Sequence, residues 1–166
     1  METKWTFSQR WVDTDVDRAR WRSTAMVRVV PSLQIGVEIN PAASEVGPLV
    51  TWFLLREEHR SPALFLGTSS DRIGTQAGDQ AYFLTVSKAL PRLPVSANVT
   101  LNYSEADESF NVPFGAALFL PYGFNVRPMY DGERTHLLVD YTRSRWSVSV
   151  ISVWMERLGL SVGFGF

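Results

Sequence analysis

Along most of this chain apolar and polar residues alternate one for one, the repeat expected of strands that carry one greasy and one wet face. About twelve alternating segments of roughly 8 to 11 residues can be marked off by clusters of Pro, Gly, Asp and Ser. They run Lys4 to Val12, Arg20 to Val30, Leu33 to Asn40, Leu49 to Glu57, Pro62 to Ser69 and Ala81 to Ala89. The series continues Val95 to Ser104, Asn111 to Leu120, Phe124 to Tyr130, Thr135 to Thr142, Arg145 to Met155 and Gly159 to Phe166. No helix of ordinary length fits between them. The pattern predicts an all-β chain folding as a single domain over residues 1–166. Two stretches depart from it: Thr51 to Leu55 is apolar on both faces, and Val150 to Val153 changes face, which a β-bulge would allow.

The connections alternate as well. Short turns are read at Val30-Pro31-Ser32, Leu90 to Pro94, Pro121-Tyr122-Gly123 and Arg143-Ser144. Longer polar connections are read at Asp13 to Arg18, Pro41 to Pro48, Ser70 to Gln80 and Glu105 to Phe110. Twelve strands with both termini on one side place these short turns at the terminal end and the longer loops at the other. Glu58 to Ser61 is a middling turn on the short side, and 131–133 and 156–158 are tight on the long side.

The last residues, Leu160-Ser161-Val162-Gly163-Phe164-Gly165-Phe166, set Leu, Val and Phe on one face and only Ser and Gly on the other, and end on an aromatic. This ending resembles the C-terminal signature of Gram-negative outer-membrane β-barrels, with Leu160, Val162, Phe164 and Phe166 as the assembly signal. The resemblance implies an antiparallel up-and-down transmembrane β-barrel in the bacterial outer membrane. About twelve strands are expected, with ten or eight as alternatives. It implies a lipid bilayer or detergent and the outer-membrane barrel assembly machinery as partners, and a monomer.

On that register the outward set includes Trp21, Ala25, Val27 and Val29; Leu33, Ile35, Val37 and Ile39; Val95, Ala97, Val99, Leu101 and Tyr103; and Val112, Phe114, Ala116, Leu118 and Leu120. The complementary set, Gln34, Glu38, Asn40, Ser96, Asn98, Thr100 and Asn102 among others, is too polar for a dry interior. Trp5, Trp11, Trp21, Tyr103, Tyr141, Trp146 and Trp154 stand toward strand ends, as an interfacial girdle requires. Lys88 is the clearest charge on the apolar face, near a turn where its stem can snorkel. Period two alone does not fix which face is wet. The inverted assignment is a soluble β-barrel or sandwich that binds a hydrophobic ligand between apolar faces.

Composition narrows function more than it defines it. The 166 residues hold 16 basic and 17 acidic side chains, a balance unlike that of a general nucleic-acid binder. Cysteine is absent, which removes disulfides, thiol chemistry and zinc-thiolate sites. No run approaches the roughly 20 apolar residues of a membrane helix. The opening Met1 to Ser8 lacks a basic start followed by an apolar stretch, so the expectation is a mature chain with an added start Met.

Any chemistry must come from the inward face. Arg10, Arg20, Arg22, Arg28, Arg127 and Arg145 are expected there, partly balanced by Glu38, Glu57 and Asp140. Such charges must form an ion-pair network, line water, or both. The expected activity is a narrow passive pore for small solutes or ions, whose excess of arginine favours anions. A closed structural or adhesion barrel, cross-braced by the same residues, is the alternative. No loop looks large enough to plug the lumen, the longest being Ser70 to Gln80. No enzyme, cofactor or metal is expected. His136 and Asp140 share a face but stand about 13 Å apart along a strand. His59 sits in a polar turn, and no His-x-Ser stands on any strand. Asp13 to Asp17 resembles half of a calcium loop without its Gly and distal Glu.

Overall fold

A computed structural model describes residues 4–166; Met1, Glu2 and Thr3, which the domain span and the start-Met reading include, lie outside the described residues. The chain forms β1 (Trp5–Val12), a four-residue helix α1 (Asp17–Arg20), β2 (Trp21–Val30), β3 (Leu33–Asn40), β4 (Glu45–Leu55), β5 (Ala63–Ser70) and β6 (Gln80–Ala89). It continues through β7 (Val95–Ser104), β8 (Ser109–Asn111), β9 (Phe114–Phe119), β10 (Phe124–Tyr130), β11 (Thr135–Arg143), β12 (Trp146–Val153) and β13 (Arg157–Gly165).

Successive strands pair antiparallel, and β1 pairs with β13, so the sheet closes on itself. β8 and β9 both pair with β7 and are two pieces of one stave, interrupted at Val112-Pro113, which leaves a barrel of twelve staves. Pro113 has no N–H to give to the ladder, yet its carbonyl still accepts from the Thr100 N–H at 2.8 Å. The chain end completes the closure: Phe166 donates its N–H to Trp5 O at 2.9 Å and accepts from Trp5 N at 3.0 Å. Closure satisfies every edge, the condition for strands to cross a bilayer.

The burial sense is the reverse of a soluble protein's. The most completely buried large side chains include Glu38 at 1 % exposure, Asn40 at 1 % and Ser104 at 0 %, while Val46 is 70 % exposed, Val99 54 % and Phe114 54 %. Registered pairs carry the same sense around the wall: Val27 opposite Ile35, Leu84 opposite Leu101 and Val126 opposite Val139 all face out. This arrangement overturns the soluble, inverted assignment.

Three local expectations change. β4 begins at Glu45 rather than Leu49, because Asn40 pairs directly with Glu45 across a short 3-10 turn at Pro41–Ala43. Register shifts lie instead in β2, between Arg28 and Val30, and in β4, where the register against β5 shifts between Phe53 and Leu55, so that Phe53 stays inward by ordinary alternation and Leu54 and Leu55 are both exposed. β12 keeps an unbroken register against β13, so Ile151 and Val153 point inward without any change of face.

Candidate functional site: the lumen and its lid

Residues 71–79 join β5 to β6 and fold across the loop end of the barrel. Their route is fixed at three points. Asp71 Oδ2 accepts from Ser104 Oγ at 2.5 Å and from Ala106 N at 3.3 Å, which ties the loop to β7 as it leaves β5. Arg72 then spans to the neighbouring loops, with Nη2 on Asp107 Oδ1 and Nε on Glu133 Oε2, each at 2.9 Å. Asp107 and Glu133 hold the Arg72 guanidinium above its ordinary range, and Arg72 in turn holds the Asp107 carboxyl below the usual one. On the far side, Ile73 packs on Val12, Ile151 and Val153, with Leu138 and Trp154 around them.

A polar chain fastens the other edge of this lid. Arg18, buried on α1, donates Nε to Glu45 Oε2 at 2.9 Å and Nη1 to Thr75 Oγ1 at 2.5 Å and Gln76 O at 2.7 Å, and it also reaches Asp79 O. Glu45 Oε1 accepts from Gly78 N at 2.7 Å, where a backbone φ of +96° suits glycine. Asn40 links Glu45 to Glu38, and Glu38 accepts from Arg22 Nη2 at 2.5 Å and from Ser70. The line runs Arg22, Glu38, Asn40, Glu45, Arg18, lid. Buried charges survive here because each carboxylate meets several donors. The expectation that no loop closes over the lumen is therefore corrected: Ser70 to Gln80 does so, by packing Ile73 and by recruiting Arg18.

His136 and Asp140 both point inward on one face of β11, with Leu138 between them, and they act apart. His136 Nδ1 accepts from Trp154 N at 3.4 Å, which leaves the proton on Nε2, 2.6 Å from Asp131 Oδ2. Burial alone would raise the Asp131 carboxyl, but His136 and the backbone N–H groups of Arg134 and Glu133 outweigh it and hold the carboxyl below its ordinary range. Asp140 instead takes a two-point contact from Arg127, with Nη2 on Oδ1 at 2.9 Å. Beside that pair lies a cavity of about 250 Å³, lined by Ala117, Asn125, Ser147 and Ser149.

The two sides of the lumen differ in bulk. β1 to β6 send in Arg10, Arg22, Glu38, Phe53, Phe65 and Phe83, while β9, β12 and β13 send in Gly115, Ala117, Ser147, Ser149, Ser161 and Gly163, with the larger Ile151 and Val153 only at the lid end of β12. Phe53 and Phe65 meet at a tilt of 46° with centroids 5.6 Å apart, and Phe83 meets Phe65 edge-on at 6.5 Å.

Of the arginines and carboxylates expected inside, Arg10, Arg22, Arg28, Glu38, Arg127 and Asp140 face the lumen. Three do not. Arg20 ends α1 at the mouth, half-exposed beside Asp17, because the chain is helical there and not yet in β2. Glu57 lies in the 56–62 connection and pairs with Lys88 at 3.4 Å. Arg145 is exposed at the tip of the β11–β12 turn. Lys88 itself donates to the carbonyls of Glu58, His59 and Ser61, which returns its charge to the turn.

Trp5, Trp11, Trp21, Tyr103, Tyr141 and Trp146 stand on the outer face near strand ends, as do Leu160, Val162, Phe164 and Phe166 along β13 and the chain end. Trp154 is the exception: a positive φ of 54° after β12 turns it onto the lid, with Arg134 stacked 4.9 Å from its ring. Among the described residues no group of three or more His, Cys, Asp or Glu gathers as a metal site. The residues that sequence reasoning passed over, Arg18, Glu45, Asp71 and Arg72, lie in stretches read as polar connections.

A closed twelve-stave barrel with a greasy exterior, a charged interior and short turns at the terminal end defines the class: the chain has the fold of an outer-membrane β-barrel. Among solved structures it is similar to one described as "KdgM porin", with a TM-score of 0.63 and 11% identity over 98% of each chain, a likeness of fold. No family model matches the sequence, and no curated protein matches it.

Proposed function

We propose that this protein is a narrow, passive pore for small solutes or ions in the bacterial outer membrane, with a lumen that favours anions. The observation that carries the reading is the polar, unevenly filled interior. Bulky side chains, charged on β1 to β3 and aromatic on β4 to β6, share the lumen with a wall rich in Ser, Gly and Ala on β9, β12 and β13, and space remains beside that wall. Eight strands enclose a lumen that side chains fill, whereas twelve enclose a wider one. The solved structure that shares the fold is described as a porin, which agrees with this reading. The lid narrows the loop end and makes a wide, unselective channel the wrong expectation. Arg22 and Arg127 are matched by Glu38 and Asp140, so the sign of the preference rests on Arg10, which pairs with no carboxylate among the described residues.

The test has two stages. The chain is first refolded with and without detergent micelles and checked for heat-modifiable migration on a gel and a β-rich circular dichroism spectrum. The folded species is then inserted in planar bilayers under a salt gradient. Discrete current steps with a reversal potential on the anion side support the pore.

A second reading rests on the lid itself. The Arg18–Glu45 pair and the Ile73 contacts suit a barrel that stays shut and works through its surface. Folded barrels that insert into the bilayer and carry no current would decide for it.

A further inference from the structure

Arg10 on β1 and Arg22 on β2 are direct cross-strand partners, both turned into the lumen. Like charges directly opposite on one face of a sheet repel, and the repulsion grows where water is scarce. Arg22 offsets part of its charge by donating Nη2 to Glu38 at 2.5 Å. Arg10 has no carboxylate within ion-pair distance among the described residues, and the Nε of both guanidinium groups is buried without an acceptor there. A buried donor left unpaired is costly, and a charged one more so.

The carboxylates near this pair are already engaged. Asp71 is held by Ser104 and the Ala106 N–H, Asp131 by His136, and Glu38 by Arg22, Asn40 and Ser70. Arg72, the third arginine at the cavity, is matched by Asp107 and Glu133. The two guanidinium groups open on a cavity of about 260 Å³ directly beneath the lid. On the other side of Arg10, its registered partner in β13 is Ser161, whose hydroxyl shares the inward face.

We propose that this cavity is a binding site for a small oxyanion, a phosphate or carboxylate group, held between Arg10 and Arg22 under the lid. The planar guanidinium fork matches both groups, and the anion supplies the acceptors and the negative charge that the fold itself omits. The inference rests on the reading of the lumen as wet, and adds to it a discrete station at which an anion stops.

The test titrates the full barrel, refolded in non-ionic micelles, with inorganic phosphate and with acetate, by calorimetry and by the midpoint of heat-modified unfolding. Ionic strength is held constant with a bulky sulfonate salt. Saturable binding is expected, weakened at least tenfold by Arg10→Met and unchanged by Arg20→Met, which removes the same charge at the mouth. Without added anion, Arg10→Met is expected to unfold no earlier than the parent, because it deletes an uncompensated charge. Equal, non-saturating responses in all three proteins would mean screening alone and overturn the site. So would an anion-free Arg10→Met or Arg10→Gln that unfolds early or fails to refold, since Arg10 would then be a brace. A barrel that binds phosphate but carries no current removes the pore and keeps the site; one that conducts without saturable binding does the reverse.

Discussion

Val99 and Thr100 are consecutive in β7 and meet opposite surroundings. Val99 stands in an outward row with Val86 and Phe114 and is more than half exposed. Thr100 points in, where its hydroxyl shares a 2.8 Å hydrogen bond with Thr85. The same contrast runs along every stave. Along mid-strand the outer face asks chiefly to be apolar, so one residue there exchanges readily for another of its kind. Toward the strand ends, aromatic pairs such as Tyr103 with Phe110 and Tyr141 with Trp146 add local contacts. The inner face is specific: Glu38, Glu45, Arg127 and Asp140 each survive through a named partner, and Arg10 is the exception. Outside, the surrounding solvent selects the residue type; inside, the neighbours select the individual residue.

The largest effect is expected from breaking an inner pair. Arg18→Ala leaves Glu45 buried without its cation, at a cost of about 3 to 5 kcal/mol in lid closure. Hydrogen exchange at residues 71–79 should quicken sharply while the barrel ladder stays protected. Next is the outer face: Val99→Arg should cost about 2 to 4 kcal/mol at mid-depth in a bilayer, whereas Thr100→Arg should be tolerated in a wet lumen. Equal denaturant midpoints for the two variants would remove the distinction between the faces.

Acid should loosen the lid next. Asp107 and Asp131 have folded-state pKa values below their unfolded ones, so their contribution is complete above the unfolded value, about 3.9, and is lost as pH falls through the folded value. Lid exchange should therefore be steady from pH 7 to 5 and quicken below about pH 4. The smallest effect is expected at Lys88→Leu, where a partly exposed ion pair at the turn contributes below about 1 kcal/mol.

How much of this was legible in the sequence follows the same division. The outer face is written in local alternation, so Leu33 to Asn40, Val95 to Ser104 and the final Leu160 to Phe166 were readable strand by strand. The lid was not, because its contacts are long-range: Arg18 meets Glu45 27 positions away and Thr75 57 positions away. Glu45-Val46-Gly47-Pro48 looks like a turn until Asn40 pairs with Glu45. Ile151 and Val153 look like a change of face until Ile73 arrives to cover them. Trp154 sits at a strand end like the girdle aromatics, and only its backbone φ sends it inward. Arg10 and Arg22 were assigned to the lumen from alternation, but that they stand opposite each other depends on register.

The most direct test of the reversed burial uses the absence of native cysteine. Single cysteines placed in turn at 95–104 carry a nitroxide, and the barrel is reconstituted in a bilayer. Spin relaxation is then measured with oxygen, which concentrates in lipid, and with a nickel chelate confined to water. The account predicts a period of two, with oxygen dominant at 97, 99 and 101 and the chelate dominant at 98, 100 and 102. The opposite phase, or no alternation, would contradict it.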